Sequence, residues 1–123
     1  IYGGTSLQDN YTVLQKGVDV IVGTPGRIKD LLERKWLNLS LVKHVVLDEA
    51  DQMLDMGFTD EISAIFEALN ESSGTDSSSL KTKQVLLFSA TMPKWVHSLA
   101  DKYLSSDRVI VDLVTGRSAV SVT

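Results

Sequence analysis

The sequence of 123 residues has no cysteine, no long apolar run and no excess of positive charge, and each absence excludes a class of protein. Without cysteine there is neither a disulfide framework nor a thiolate metal site, which fits an intracellular protein. No apolar run approaches the ~20 residues that a membrane-spanning helix needs, so we expect no membrane span. The formal net charge of −4 argues against a generally basic surface for nucleic acid. Any contact with RNA or DNA must therefore be local.

What the sequence does contain is an alternation of strand-like and helix-like segments, typical of an α/β fold with a parallel sheet. Four strands are predicted, at 18–22, 44–47, 84–88 and 109–113. Five helices are predicted: one around 7–14, one over 51–58, and three that begin at Pro25, Thr59 and Pro93. Thr24 and Thr59 are expected to cap their helices, and Gly17 is expected to end the first one. The length fits a single domain.

The most informative stretch is an apolar strand that runs into acidic residues. Val45, Val46 and Leu47 predict a parallel strand that is covered on both faces. Asp48 and Glu49 follow directly, and because buried unpaired charge is costly, we place them at the carboxyl end of the strand. Two carboxylates at that position suit a hydrated magnesium ion. The alternative, a solvated acidic turn, is equally compatible with these two residues alone.

Three further short motifs accompany this acidic stretch. The sequence reads Gly-Gly at 3–4, Thr-Pro-Gly-Arg at 24–27, Asp-Glu-Ala-Asp at 48–51 and Ser-Ala-Thr at 89–91. These motifs, in this order, resemble those of DEAD-box ATP-dependent RNA helicases, and the resemblance covers essentially the whole chain. Flanking residues are similar to the nucleolar Gu-type subgroup, which implies a nuclear or nucleolar location.

The resemblance implies a RecA-like lobe of the P-loop NTPase class, truncated at its N-terminal side. Residues 1–114 would be the C-terminal portion of the first, ATP-binding lobe, and residues 115–123 the start of the interlobe linker. The opening residues include no start methionine, so we expect the chain to be cut from a longer protein.

The resemblance also implies roles for the residues of the nucleotide site. Asp48 would hold Mg²⁺ against the phosphates of ATP, and Glu49 would position and polarise the attacking water. Asp51 would hydrogen-bond toward Ser89 and Thr91 and couple the nucleotide site to the rest of the lobe. For Ser89 and Thr91 the alternative is helix capping before Pro93, and both roles are chemically compatible.

A second set of residues would contact the sugar-phosphate backbone of RNA. Glycines allow phosphates to approach the main chain, a helix start presents free N–H groups, and an arginine adds a charge-assisted pair. Such contacts do not read base sequence. The implied RNA-binding residues are Gly3, Gly4, Thr24, Pro25, Gly26 and Arg27. An ordinary helix start remains the alternative for Thr24 to Gly26.

Two elements of such a helicase are missing from the sequence: a phosphate loop of the form G-x-x-x-x-G-K-[ST] and a second RecA-like lobe. We therefore expect this chain alone to be inactive and its unpaired strand edges to favour a rearranged sheet, a loosely attached last strand, or a swapped or edge-paired dimer. Two other functions stay open: an RNA-binding or scaffold module without hydrolysis, and a signalling domain phosphorylated on an aspartate at a strand end. The second of these gives no reason for the Ser-Ala-Thr and Thr-Pro-Gly-Arg motifs.

Overall fold

The computed structural model describes Gly4, residues 6–71 and residues 83–113, and it has the predicted α/β architecture. The elements in chain order are helices α1 (Leu7–Gln15) and α2 (Pro25–Glu33), strand β1 (His44–Leu47), helices α3 (Ala50–Asp55) and α4 (Thr59–Glu71), strand β2 (Gln84–Leu87) and helix α5 (Lys94–Tyr103). No helix within these described ranges has both the length and the apolar character to cross a bilayer.

The sheet consists of β1 and β2, which pair in parallel with His44 opposite Gln84 and Leu47 opposite Leu87. Helices α3 and α4 make the crossover between the two strands, as parallel pairing requires. The parallel arrangement predicted from the sequence is thus confirmed. Both strands end at the same edge of the sheet, and that edge carries the residues from Asp48 and from Ser89 onward.

The predicted strands at 18–22 and 109–113 are wrong as strands, because within the described residues the sheet consists of β1 and β2 and neither segment has strand structure. A strand is defined by its ladder of hydrogen bonds, and β1 and β2 pair only with each other. Val20 is 78% exposed and Leu113 is 86% exposed, although Ile21 packs against the core. The sheet therefore has two strands in the described residues where we predicted four.

The core lies on one side of this sheet. Val45, Leu47, Val85 and Leu87 face a cluster whose largest fully buried side chains are Phe66, Leu31, Ile62, Leu69 and Val96. The opposite face carries the alternating side chains of each strand, and Val46 is 55% exposed there. The prediction that β1 is covered on both faces is therefore wrong within the described residues, because the side chains of the second face remain exposed.

Of the three predicted helix ends, the structure confirms the one at Gly17 but not the two threonine caps. Gly17 follows α1 at φ +80°, and its N–H donates to the Leu14 carbonyl, as expected for a glycine that ends a helix. Thr24 occupies the N-cap position of α2, but its hydroxyl makes no capping bond. Thr59 is the first residue of α4 and not its cap, since Ile62 donates to the carbonyl of Phe58.

Candidate functional site

The carboxyl ends of β1 and β2 form an open, acidic cavity of about 460 Å³. Its lining residues come from the two segments that follow the strands: Asp48, Glu49, Asp51, Gln52, Phe88, Ser89 and Ala90. Two of the predicted motifs, 48–51 and 89–91, therefore meet at one site. Ligands of open α/β sheets bind in this position.

Asp48 is the first residue beyond β1, and its carboxylate is exposed. One oxygen, Oδ1, accepts the N–H of Glu49 at 2.9 Å, which fixes the orientation of the carboxylate. No group of three or more potential ligand side chains gathers around a metal position within the described ranges. Magnesium is commonly bound through one or two carboxylates together with water and phosphate oxygens, so Asp48 fits the predicted ion without a cage of protein ligands.

Glu49 has an unusual backbone conformation for a residue with a side chain. Its φ of 52° and ψ of 47° lie in the left-handed region, which disfavours residues other than glycine. The peptide group between Glu49 and Ala50 is held at both of its polar atoms, because the Glu49 carbonyl accepts the N–H of Met53 and the Ala50 N–H donates to the Phe88 carbonyl at 3.0 Å. Strained backbone of this kind concentrates at functional sites. Glu49 is an exposed carboxylate at the mouth of the cavity.

Asp51 is the centre of a hydrogen-bond network that joins α3 to the segment after β2. The side chain is buried, with 7% exposed, and its Oδ2 accepts both the hydroxyl of Thr91 at 2.8 Å and the Thr91 N–H at 3.2 Å. Its Oδ1 accepts the N–H of Gln52 at 3.0 Å. The donated Thr91 hydroxyl lowers the pKa of Asp51 below its ordinary value of 3.8, while burial opposes that shift. Asp51 is thus held as a carboxylate.

Ser89 completes this network from the other direction. Its Oγ accepts the Asp51 N–H at 3.2 Å and donates to the Thr91 carbonyl at 2.7 Å. Together with the bond from Ala50 to Phe88, this satisfies N–H groups of the first turn of α3, which have no partner inside the helix. The capping role considered for Ser89 and Thr91 before Pro93 is not observed, because α5 has no side-chain cap. Ser89 caps α3 instead.

The motif at 24–27 begins α2 and lies at the end of an extended segment, not of a paired strand. Pro25 is buried, Thr24 and Gly26 are exposed, and Arg27 is half-buried with its Nη1 donating to Asn10 Oδ1 at 3.4 Å. A methyl group built on Gly26 would meet nothing within 4 Å. Unlike the motifs at 48–51 and 89–91, this motif does not follow a strand of the sheet, which consists of β1 and β2 among the described residues.

Of the two opening glycines, Gly4 is described and Gly3 lies outside the described residues. Gly4 has φ +98°, a conformation that other residues rarely adopt, and is exposed just before α1. Gly4 lies in a turn.

Three residues near the predicted sites were missed by sequence reasoning. Gln52 and Phe88 line the cavity, and Asn10 bonds to Arg27. Gln52 lies three residues after Glu49, in the first turn of α3, so its short distance from the acidic motif could have identified it. Nothing in the sequence links Asn10 to a residue 17 positions away.

Comparison with known proteins agrees with this geometry. The profile of DEAD/DEAH box helicases matches residues 1–99, a range that includes all four motifs. The chain belongs to the DEAD/DEAH box helicase family. The resemblance inferred from the motifs is thereby confirmed.

The relatives of this family member are much longer than the chain itself. It is 51% identical over 113 residues to the ATP-dependent RNA helicase DDX50 of Homo sapiens, covering 92% of this chain and 15% of that protein. It is 45% identical over 124 residues to Nucleolar RNA helicase 2 of Rattus norvegicus, covering 98% of this chain and 15% of that protein. The chain thus spans about a seventh of the length of these relatives.

Solved structures of the family share the fold. A DEAD box protein from the hyperthermophile Methanococcus jannaschii superposes with a TM-score of 0.73 at 44% identity, covering 86% of this chain and 26% of that one. The yeast DEAD-box splicing factor Prp28 superposes with a TM-score of 0.76 at 36% identity, covering 85% of this chain and 22% of that one. The predicted RecA-like α/β class is confirmed by these neighbours.

Proposed function

We propose that this chain is the later part of the first RecA-like lobe of an ATP-dependent RNA helicase, which couples ATP binding and hydrolysis to RNA unwinding or RNP remodelling. In this proposal residues 1–114 belong to the lobe and residues 115–123 begin the linker to a second RecA-like lobe. The observation that carries it is the network in which Asp51 ties Thr91 and Ser89 to the start of α3, beside the acidic pair. We use the term parent protein for the longest natural protein that contains this sequence.

In the nucleotide site the roles divide between two neighbouring carboxylates. Asp48 would hold Mg²⁺ beside the phosphates of ATP, where the ion would supply neutralisation of the charge that develops during phosphoryl transfer. Glu49 accepts a hydrogen bond from the attacking water and orients it. The fixed left-handed backbone of Glu49 supports this role, because it sets the direction in which the carboxylate leaves the chain.

In this proposal Asp51 does not contact the reacting groups and acts through the residues that it holds. Its three accepted hydrogen bonds keep the segment 89–91 in register with α3, so a movement on one side of the cavity is transmitted to the other. Because Asp51 touches neither water nor phosphate in this role, it is a coupling residue. We expect its loss to reduce the dependence of hydrolysis on RNA.

RNA binds, in this proposal, through its sugar-phosphate backbone at the starts of α1 and α2. Exposed Gly4, Thr24 and Gly26 allow close approach, and the open space around Gly26 means that packing within the described fold does not require glycine there. Arg27 supplies the positive charge. Pro25 shapes the helix start, and Gly3 belongs to the same proposed contact. The names of the nucleolar relatives support a nucleolar location for the parent protein.

The decisive experiment measures ATP hydrolysis by the parent protein with and without RNA. Glu49→Gln removes the acceptor charge but keeps the shape, so we expect RNA-stimulated hydrolysis to fall by about 10²- to 10⁴-fold while ATP binding is retained. Asp55→Asn is the matched control, because Asp55 is an exposed carboxylate on α3 outside the cavity lining. Hydrolysis that persists after Glu49→Gln would refute the assignment.

The same assay separates the proposal from the alternative of an RNA-binding or scaffold module. A wild-type parent protein that binds RNA but hydrolyses no ATP above background would be such a module. In that case Glu49→Gln and Asp55→Asn would both leave RNA affinity unchanged.

A further inference from the structure

The turn after α2 places an arginine over the ring of a tryptophan. Arg34 is the residue that follows α2, and its guanidinium carbon lies 5.4 Å from the centroid of the Trp36 ring. Its Nε donates to Asp30 Oδ1, one helical turn earlier, at 2.9 Å. The guanidinium is therefore oriented by two contacts, an ion pair at its edge and an aromatic ring on one of its faces.

The backbone after α2 folds back through a left-handed residue and brings the tryptophan into this position. Lys35 has φ +58°; its N–H donates to the Leu32 carbonyl at 2.9 Å, and the Trp36 N–H donates to the Leu31 carbonyl at 3.0 Å. This pair of bonds is the Schellman arrangement, which commonly ends a helix. Trp36 also packs against the core and contacts the ring of Tyr11 at a centroid distance of 4.7 Å. The tryptophan ring is thus held by the fold.

Arg34 remains accessible to a ligand, and its setting favours a flat ligand over an anion. Its side chain is 46% exposed. Because the Asp30 carboxylate lies against it, its charge is largely balanced, and the pair attracts a phosphate less than a lone arginine does. A guanidinium plane is a surface on which RNA bases stack. Arg34 lies seven residues after Arg27, which is nearly two helical turns and about 10 Å along the same side of the helix.

We propose that Arg34 is a base-stacking residue: a nucleobase of the RNA strand that is bound at the starts of α1 and α2 stacks on the guanidinium face opposite Trp36. This inference rests on the proposed RNA-binding function of that surface, and it adds a contact to a base where the other proposed contacts are to the backbone. Stacking tolerates any base, so the contact adds affinity without reading sequence. Trp36 and Asp30 are positioning residues, because they hold the guanidinium and do not touch RNA.

The experiment measures the affinity of the parent protein for two oligomers of equal length over a range of salt concentrations. One is single-stranded oligouridine, and the other is the same sugar-phosphate chain without bases. Arg34→Lys keeps the positive charge but loses the plane, so we expect oligouridine binding to weaken about five- to tenfold, the lower end of the range for stacking one base, with an unchanged salt slope. Binding of the base-free oligomer should equal that of the wild type, which also shows that the variant is folded.

Two further variants serve as controls. Lys102→Ala removes another cation that lies over an aromatic ring, 5.0 Å from the Tyr103 centroid on α5, and it should leave both affinities unchanged. Arg27→Ala should weaken the binding of both oligomers alike and reduce the salt slope by about one, because its proposed contact is to phosphate.

The outcomes separate the inference from the proposed function. If the wild-type parent protein binds neither oligomer, the proposed RNA-binding function fails and the inference falls with it. If it binds both, and Arg34→Lys keeps wild-type affinity for oligouridine, only the inference is overturned. An equal loss from Arg34→Lys with both oligomers would also overturn it, because the loss would then not depend on the bases.

Discussion

At the scale of single residues, Glu49 shows how the site combines chemistry with local strain. The residue must carry a carboxylate for the proposed role, yet its backbone is in the region that favours glycine. Such a conformation costs on the order of 1–2 kcal/mol for a residue with a Cβ. The cost is offset by the hydrogen bonds that the peptide group after Glu49 makes to Met53 of α3 and to Phe88, the residue after β2.

This strain predicts an order of stability among Glu49 variants. Glu49→Gly should make the chain more stable to urea than Glu49→Ala by about 1 kcal/mol, because only glycine relieves the left-handed backbone. Both variants should abolish hydrolysis in the parent protein. Lys35, with φ +58° after α2, is the matched control. Lys35→Gly should be more stable to urea than Lys35→Ala by a similar amount, and it should leave hydrolysis intact. Equal stability of Glu49→Gly and Glu49→Ala would show that the strain is absent.

Asp51 makes a second prediction at this scale, in the acid range. Because its pKa is lowered in the folded chain, its stabilising contribution is full above the ordinary value of 3.8 and is lost as the pH falls from there through the folded-state pKa. Hydrogen exchange of a peptide spanning 88–93, corrected for intrinsic rate, should therefore lose protection in that window. Asp51→Asn leaves one acceptor oxygen where Asp51 has two, so the bonds to Gln52 and Thr91 cannot all be kept and protection should already be lower at neutral pH.

The control for this measurement is Asp55→Asn, in which the exposed carboxylate of the same helix is removed. It should keep the wild-type loss of protection in acid. An unchanged exchange profile in Asp51→Asn would mean that Asp51 does not hold the segment after β2.

At the scale of elements, the sequence predicted those that depend on local pattern and failed for those that depend on a partner. The helices predicted from Thr59 and from Pro93 are present as α4 and α5, because a helix forms its hydrogen bonds internally. The segments 18–22 and 109–113 have equally apolar sequences. A strand forms only by pairing with a neighbouring strand, and the sequence of a segment does not identify that neighbour. The candidate site at the carboxyl ends of β1 and β2 could be predicted because its motifs directly follow the two paired strands.

Lys83 is an element-scale feature that fixes the entry into β2. Its Nζ donates to the carbonyl of Val42 at 2.7 Å and to that of Ser40 at 3.5 Å, in the connection that leads into β1. We expect Lys83→Met to lower the free energy of unfolding by about 1 kcal/mol, since the aliphatic chain remains but the charged donor is lost. Urea unfolding of the chain measures this. Lys43→Met, at an exposed lysine beside the same strands, should have little effect.

At the scale of the whole molecule, the described fold leaves one face of its sheet open. Val46, Leu86 and Phe88 are exposed there, and each strand has one unpaired edge among the described residues. Exposed apolar strands are templates for association with another chain. The sequence indicated an unpaired edge but not an open face, because a run of apolar residues looks the same whether one side or both are covered.

The edge-paired or swapped dimer remains a prediction for this chain, and the open face makes it testable. Light scattering after size exclusion should show a mass that rises with concentration above that of the monomer. Val46→Thr/Leu86→Thr should shift the equilibrium toward monomer. Val13→Thr is the matched control, because Val13 is 55% exposed, as Val46 is, but lies on α1. A chain that stays monomeric at every concentration would exclude the dimer.

The left-handed Glu49 has a consequence for laboratory evolution of this protein. Glutamate codons become glycine codons by a single base change, and that change relieves backbone strain while it removes the proposed catalytic carboxylate. A library selected only for folding or expression should therefore enrich Glu49→Gly and yield well-behaved but inactive clones. Selection needs a second screen on ATP turnover to keep the glutamate.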